Sequence, residues 1–131
     1  PLIMGCDLRK ASEETKKTLL NKDLIAINQD LEARGAYMIK PLPDAYNENE
    51  AFILVKPLAD GDLAIGIFNF SDTQRELSLE FWDMGIPYAA GVSLSLHDCI
   101  TGEELGEFTE RFAPVVPSHG CMVVRARIVE K

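Results

Sequence analysis

Few residues in this 131-residue chain have types and spacings that could do chemistry. Ser118, His119 or His97, and Asp98 are the parts of a nucleophilic triad, in which a histidine takes the serine proton and a carboxylate orients the histidine. No Gly-x-Ser-x-Gly elbow presents the serine, so the set reads as a chance pairing. Neither histidine stands at metal-ligand spacing from a cysteine, and both read as loop or core residues. Cys6, Cys99 and Cys121 are far apart and odd in number, with no CxxC pair, which argues against a zinc site or a disulfide framework. Three buried thiols are expected, with a single bridge as the alternative. Cysteine usage leans towards a reducing compartment such as the cytoplasm, and nothing else in the sequence fixes a location.

Trp82, beside Phe81 and Asp83, has the ring that sugar-binding modules stack on a pyranose. The preferred reading is a Trp packed over the end of a sandwich or against another domain. Tyr37, Tyr46 and Tyr88 are scattered and give no platform. Asn69-Phe70-Ser71 is an N-glycosylation triplet that matters only in a secretory parent. Glu103, Glu104, Glu107 and Glu110 read as a solvated face rather than a cation site. No metal and no cofactor are implied.

Composition narrows the classes. With 47% apolar and 26% charged residues, the chain can bury a core, and disorder throughout is excluded. The longest apolar runs, such as residues 51–55, fall far short of the roughly 20 residues of a membrane-spanning helix. There are 21 acidic against 13 basic residues, a net charge of −8 with no basic cluster, so nucleic acid is not an expected partner.

Two segments of different character must position these residues. Residues 1–34 read as a strand followed by helices. Residues 1–5 are an apolar, strand-like run. Ser12 is an N-cap with Glu13 and Glu14 in the first turn. Glu13 and Lys17 form an i,i+4 pair. Asn21 closes the helix, and a second helix over 23–30 buries Leu24, Ile25 and Ile27. From Gly35 the period becomes two. Strands are expected at 36–40, 51–56, 63–70, 75–81, 92–96, 108–116 and 121–129. Turns fall at 41–44, 60–62, 101–102 and 117–120, and a polar loop at 47–50. The expectation is an antiparallel β-sandwich over 35–131. A strand and helix that cannot cover their own faces precede it, as in half of a βαβ repeat. The chain opens at Pro1 inside an apolar run, without an initiator Met or signal-peptide pattern, so a domain cut from a longer protein is expected.

Pro1-Leu2-Ile3-Met4-Gly5-Cys6-Asp7-Leu8-Arg9 resembles the eighth barrel strand of glycoside hydrolase family 27, the α-galactosidase (melibiase) and α-N-acetylgalactosaminidase family. Leu20-Asn21-Lys22-Asp23-Leu24-Ile25-Ala26-Ile27-Asn28-Gln29-Asp30 resembles that family's next helical segment. Leu96-His97-Asp98, Thr101-Gly102, Leu105-Gly106, Phe112, Val116-Pro117 and His119-Gly120 are similar to its C-terminal β-domain. Two departures stand out. Asp30 is followed by Leu31-Glu32-Ala33-Arg34-Gly35 where members often continue with Pro-Leu-Gly, and Cys99 stands where an aromatic is usual.

The resemblance implies the last strand and helix of a (β/α)₈ barrel and its β-domain, taken from a retaining glycosidase whose two carboxyl groups lie about 5 Å apart. Such groups sit at the C-terminal ends of other barrel strands, so no catalytic residue is expected in this chain, which would be inactive alone. The resemblance places Gly5 at the wall of the sugar pocket, where a small residue leaves room, with a glycine that merely allows a tight strand-to-helix turn as the alternative. It places Asp7 and Arg9 behind that wall, orienting loops by charge-assisted bonds, although a local Asp7–Arg9 pair is the preferred reading. The implied partners are the remainder of the barrel and an α-galactoside bound by the intact parent. The alternatives are a carbohydrate-binding module or an oligomerisation surface that forms a homo-oligomer.

Overall fold

The computed structural model describes residues 5–7, 9–41 and 50–130. Residues 1–4 of the strand expected over 1–5, with Leu2 and Ile3, lie outside these, as do Leu8, the turn residues 42–44, Tyr46 and the loop residues 47–49.

The helical segment forms as two short helices. The first, α1, spans Glu13–Leu19, with the Ser12 hydroxyl accepting from the Thr15 amide. Its ion pair is Glu13–Lys16 at 2.8 Å, one residue short of the expected i,i+4 partner. Helix α2 spans Lys22–Asn28. No residue of either helix is buried. The expected buried side of α2 is therefore only half-covered, at Leu24, Ile25 and Ile27. Beyond it the chain turns on Ala33, whose φ of 51° puts a non-glycine residue in the left-handed region, at roughly 1 kcal/mol or more.

The rest is an antiparallel β-sandwich. Among the described residues ten strands follow the helices: β1 Tyr37–Pro41, β2 Ala51–Pro57, β3 Leu63–Asn69, β4 Arg75–Glu76, β5 Leu79–Glu80, β6 Val92–Asp98, β7 Glu104–Phe108, β8 Arg111–Phe112, β9 Val115–Val116 and β10 Cys121–Glu130. One layer is a six-stranded sheet in the order β1-β2-β3-β10-β6-β7. Side chains alternate across it as the pleat requires: in β2, Ala51, Ile53 and Val55 are buried while Phe52, Leu54 and Lys56 are not. Ile65, Ile67, Leu94, Leu96, Val124 and Ala126 continue the inner face.

The second layer is a broken ribbon. β4 pairs with β9 and β5 with β8, and together they place Leu77, Leu79, Phe81, Phe112 and Val116 over that inner face. The strands expected over 75–81 and 108–116 are each split. Pro114 sits at the break and has no N–H to give to a ladder, although its carbonyl still accepts from the Leu77 amide at 3.0 Å. The expected 108–116 strand also misses β7, which precedes it and carries Glu104 and Glu107 of the acidic stretch.

Asn69 joins the layers. It is 1% exposed at the end of β3. Its Nδ2 donates to the carbonyls of Thr73 (2.9 Å), Val116 (3.1 Å) and Pro117 (3.0 Å). Its Oδ1 accepts from the Ser71 amide (3.1 Å) and hydroxyl (2.6 Å) in an Asx turn. The glycosylation triplet is thus an internal bracket, with the amide that would carry a glycan already engaged.

The cysteines divide. Cys6 and Cys121 are exposed and Cys99 is buried, all three as free thiols, so the expectation of three buried thiols holds for Cys99 alone. Burial pushes the Cys99 thiol up to about 11, helped by the nearby Asp23 and Asp98 carboxylates.

Two outcomes follow. Asn69→Ala leaves buried carbonyls without a donor and should lower unfolding stability by about 2–3 kcal/mol in denaturant titration; a change below about 0.5 kcal/mol would remove Asn69 from this role. Iodoacetamide at pH 8 should alkylate Cys6 and Cys121 and spare Cys99 until denaturant is added, as read by mass spectrometry; labelling of native Cys99 at the Cys121 rate would contradict its burial.

Candidate functional site

The residues expected at a pocket wall lie at the start of the described chain. Gly5 is exposed, and a Cβ added there would meet nothing within 4 Å. Asp7 and Arg9 grip each other: Arg9 Nε donates to Oδ1 and Nη2 to Oδ2, both at 3.0 Å, and the Arg9 amide adds a bond to Oδ1 at 3.1 Å. The guanidinium holds the Asp7 carboxyl below its usual range, and the carboxylate raises Arg9 in return. Both are solvent-exposed, so the fork fixes a local turn, closed by the Lys10 amide on the Asp7 carbonyl at 2.9 Å.

Further along, the helical segment is tied to the outer face of the six-stranded sheet, the face turned away from the ribbon. Asn21 ends the first helix as expected, its amide donating to the Thr18 carbonyl at 3.2 Å, and it also begins the second. Its Oδ1 caps the amides of Asp23 (2.9 Å) and Leu24 (3.1 Å), while its Nδ2 reaches the Cys99 carbonyl at 2.7 Å. At the other end of α2, Lys56 Nζ donates to the Ile27 carbonyl at 2.7 Å, a cation at a helix C-terminus. Asp30 accepts from the Ala59 amide in the β2–β3 turn at 3.0 Å. An open groove of about 740 Å³ remains beside α2, lined by Leu24, Ile27, Asn28, Gly35, Ala36 and Lys56 among others.

His97 completes the attachment. Its Nε2 lies 2.9 Å from an Asp23 oxygen on α2, and its Nδ1 lies 2.7 Å from a Glu104 oxygen on β7. The carboxylate of Asp23, then that of Glu104, raises the imidazole above its ordinary value. Beside it Arg125 is held by Asp62 at 2.7 Å and by Asp60. These two acids of the hairpin turn therefore anchor an arginine as well as shape a turn.

The triad types are not brought together. Ser118 Oγ donates to the Ser71 carbonyl at 2.9 Å, and His119 pairs with Asp72 at 2.9 Å. Asp98 is buried and caps the Ile100 and Thr101 amides. Trp82 is 60% exposed, so it is not packed over the end of the sandwich, and Tyr88 lies beside it at a centroid separation of 6.1 Å. Of the acidic stretch, Glu104 meets His97 and Glu107 accepts from Ser93 Oγ at 3.2 Å, so half of that face is engaged. Among the described residues, no three His, Cys, Asp or Glu side chains are grouped to hold a metal, and no helix is long and apolar enough to cross a membrane.

Sequence reasoning missed Asn21, Lys56, Asp30 and His97 as attachment residues. Asn21 alone carried a local signal, its position just before Asp23 in the first turn of a helix.

Comparison with known proteins places this arrangement. The model of the "Alpha galactosidase C-terminal beta sandwich domain" matches residues 48–126. A Dictyostelium discoideum protein named "Probable alpha-galactosidase" is 35% identical over 127 residues, which is 95% of this chain and 31% of that protein. The crystal structure of α-galactosidase I from Mortierella vinacea shares the fold at a TM-score of 0.82 and 24% identity, over 96% of this chain and 31% of that one. A GH27 β-L-arabinopyranosidase from Geobacillus stearothermophilus shares it at a TM-score of 0.76 and 22% identity, over 91% and 25%. This chain thus spans about a quarter to a third of the proteins it matches. The match over residues 48–126, more than half of the chain, shows that the chain belongs to the α-galactosidase C-terminal β-sandwich family, the melibiase C-terminal part.

Proposed function

We propose that the chain is the C-terminal part of a retaining α-galactosidase, in which residues 1–34 complete a (β/α)₈ barrel and residues 35–131 brace it. The observation that carries this reading is the state of α2. It is fastened to the sheet by polar bonds at both ends, yet Leu24 and Ile27 line an open groove and no residue of the helix is buried. Helices of seven residues are not stable alone in water, and an apolar side left half-covered belongs against another element. The remainder of a barrel fits that requirement.

In this reading the nucleophile and the acid/base carboxyl stand on other barrel strands, about 5 Å apart, and form and release a covalent glycosyl-enzyme. The present chain contributes no catalytic group. Gly5 leaves room for the sugar at the pocket wall, and the Asp7–Arg9 fork stiffens the backbone that follows it. The β-sandwich holds the last barrel helix in place.

The test is hydrolysis of a chromogenic α-galactoside by the full-length gene product, with the 131-residue chain alongside and the N-acetylated substrate for comparison. Cleavage by the full-length protein alone is expected. Activity in the short chain would overturn the assignment of the chemistry to other strands, and inactivity of both would overturn the galactosidase reading. In the full-length enzyme Gly5→Val should raise KM about tenfold or more, because the added branches enter the space kept for the sugar. An unchanged KM would remove Gly5 from the wall.

A further inference from the structure

We propose that His97 is a proton-operated clasp, holding the α1–α2 segment to the β-sandwich while both ring nitrogens carry protons and loosening it when one is lost. The inference stands on placement. The imidazole lies between two carboxylates from different parts of the chain, Asp23 on α2 and Glu104 on β7, at 2.9 and 2.7 Å. An ionised carboxylate only accepts hydrogen bonds, so both bonds can form only when both nitrogens donate, which requires the imidazolium. A neutral ring has one N–H, and its remaining lone pair would face the other carboxylate.

The charged groups around the ring leave it as the connector. Arg125, opposite His97 in the β10–β6 register, is engaged by Asp60 and Asp62. Arg127 lies 3.6 Å from Asp62. Lys56 on β2 gives its ammonium to the Ile27 carbonyl at the far end of α2. From α2 Asp23 faces the ring, and from β7 Glu104. On the uncharged side, Ser95 lines the same small cavity as His97 and Arg125.

The direction with pH is fixed. The two carboxylates raise His97 from 6.5 in the docked state. A cation stabilised in this way contributes fully below about pH 6.5, and the contribution is lost as pH rises through the raised value. The segment is therefore held most firmly in mildly acidic solution and loosens towards alkaline pH. The bonds of Asn21, Asp30 and Lys56 are separate from the imidazole, so loosening stops short of release. The consequence for catalysis rests on the barrel reading above, since only then does α2 belong to the domain that bears the chemistry.

The experiment is hydrogen exchange of the peptide covering α2 in the full-length protein between pH 5.5 and 8.5, corrected for intrinsic exchange, for the native protein, His97→Gln and Asp23→Asn. Protection in the native protein should fall about fivefold across the window, while H97Q should be less protected and indifferent to pH. D23N, which leaves the histidine with Glu104 alone, should move the midpoint down towards the ordinary histidine value. Native protection that is flat with pH, or an equal slope in H97Q, would overturn the clasp. Hydrolysis by the same samples is scored separately, so a full-length protein inactive on α-galactosides would sink the barrel reading and leave the exchange result to decide the clasp.

Discussion

The sandwich depends on one buried carboxamide. The broken ribbon that forms its second layer cannot maintain a ladder of its own, because Pro114 interrupts the pairing and each remaining piece is two residues long. Its apolar residues hold it against the sheet, but apolar contact is non-directional and sets no register. Asn69 supplies the direction. From the end of β3 in one layer it binds the carbonyls of Val116 and Pro117 in the other, and that of Thr73 in the link between them. A carboxamide suits the position because it donates and accepts at once without a charge to bury.

With the inner face closed in this way, the outer face of the six-stranded sheet takes the attachments. Its two ends differ in chemistry. At one end Phe52, Phe68 and Phe70 cluster, with the Phe52 and Phe68 rings 5.0 Å apart. Gly66 lets the Phe68 ring lie across the strand, since a Cβ there would come within 2.6 Å of it. At the other end, Lys56 and His97 reach α2 by charge-assisted bonds. Pairs as exposed as these contribute little to stability each, so their part is to set where α2 lies rather than to hold it strongly. The strong term in such a contact would come from burying Leu24 and Ile27, which the described residues leave half-covered.

How much of this was legible follows from the same physics. The central strands β2, β3, β6 and β10 could be read because each turns one face to the core, so that Ile53 and Val55, Ile65 and Ile67, Leu94 and Leu96, and Val124 and Ala126 recur at every second position. β7 could not: only Leu105 and Phe108 along it are even half-covered, and a Glu-Leu-Gly-Glu-Phe stretch looks like a loop. The strand expected over 108–116 was read too long because Pro114, inside an apolar run, interrupts pairing without interrupting hydrophobicity. Asn21 was read only as a helix stop because asparagine serves both as a helix stop and as an N-cap, and only the hydrogen bonds show that here it does both. His97 was read as a loop or core histidine because its partner Asp23 lies 74 residues away, beyond any local pattern. Asn69 carried a strong motif with the wrong meaning, since a glycosylation triplet and an Asx turn closed by serine are the same three letters.

The structures that share this fold carry different names. Structures named as an α-galactosidase and as a β-L-arabinopyranosidase carry closely similar versions of the same β-sandwich. Likeness at 24% and 22% identity shows the fold alone, and function belongs to a site grafted on the fold rather than to the fold itself. What the described residues do show is position: Asn21, Asp30, Lys56 and His97 fix where α2 lies on the sheet. An attachment made of short, oriented polar bonds is weak in energy but exact in geometry.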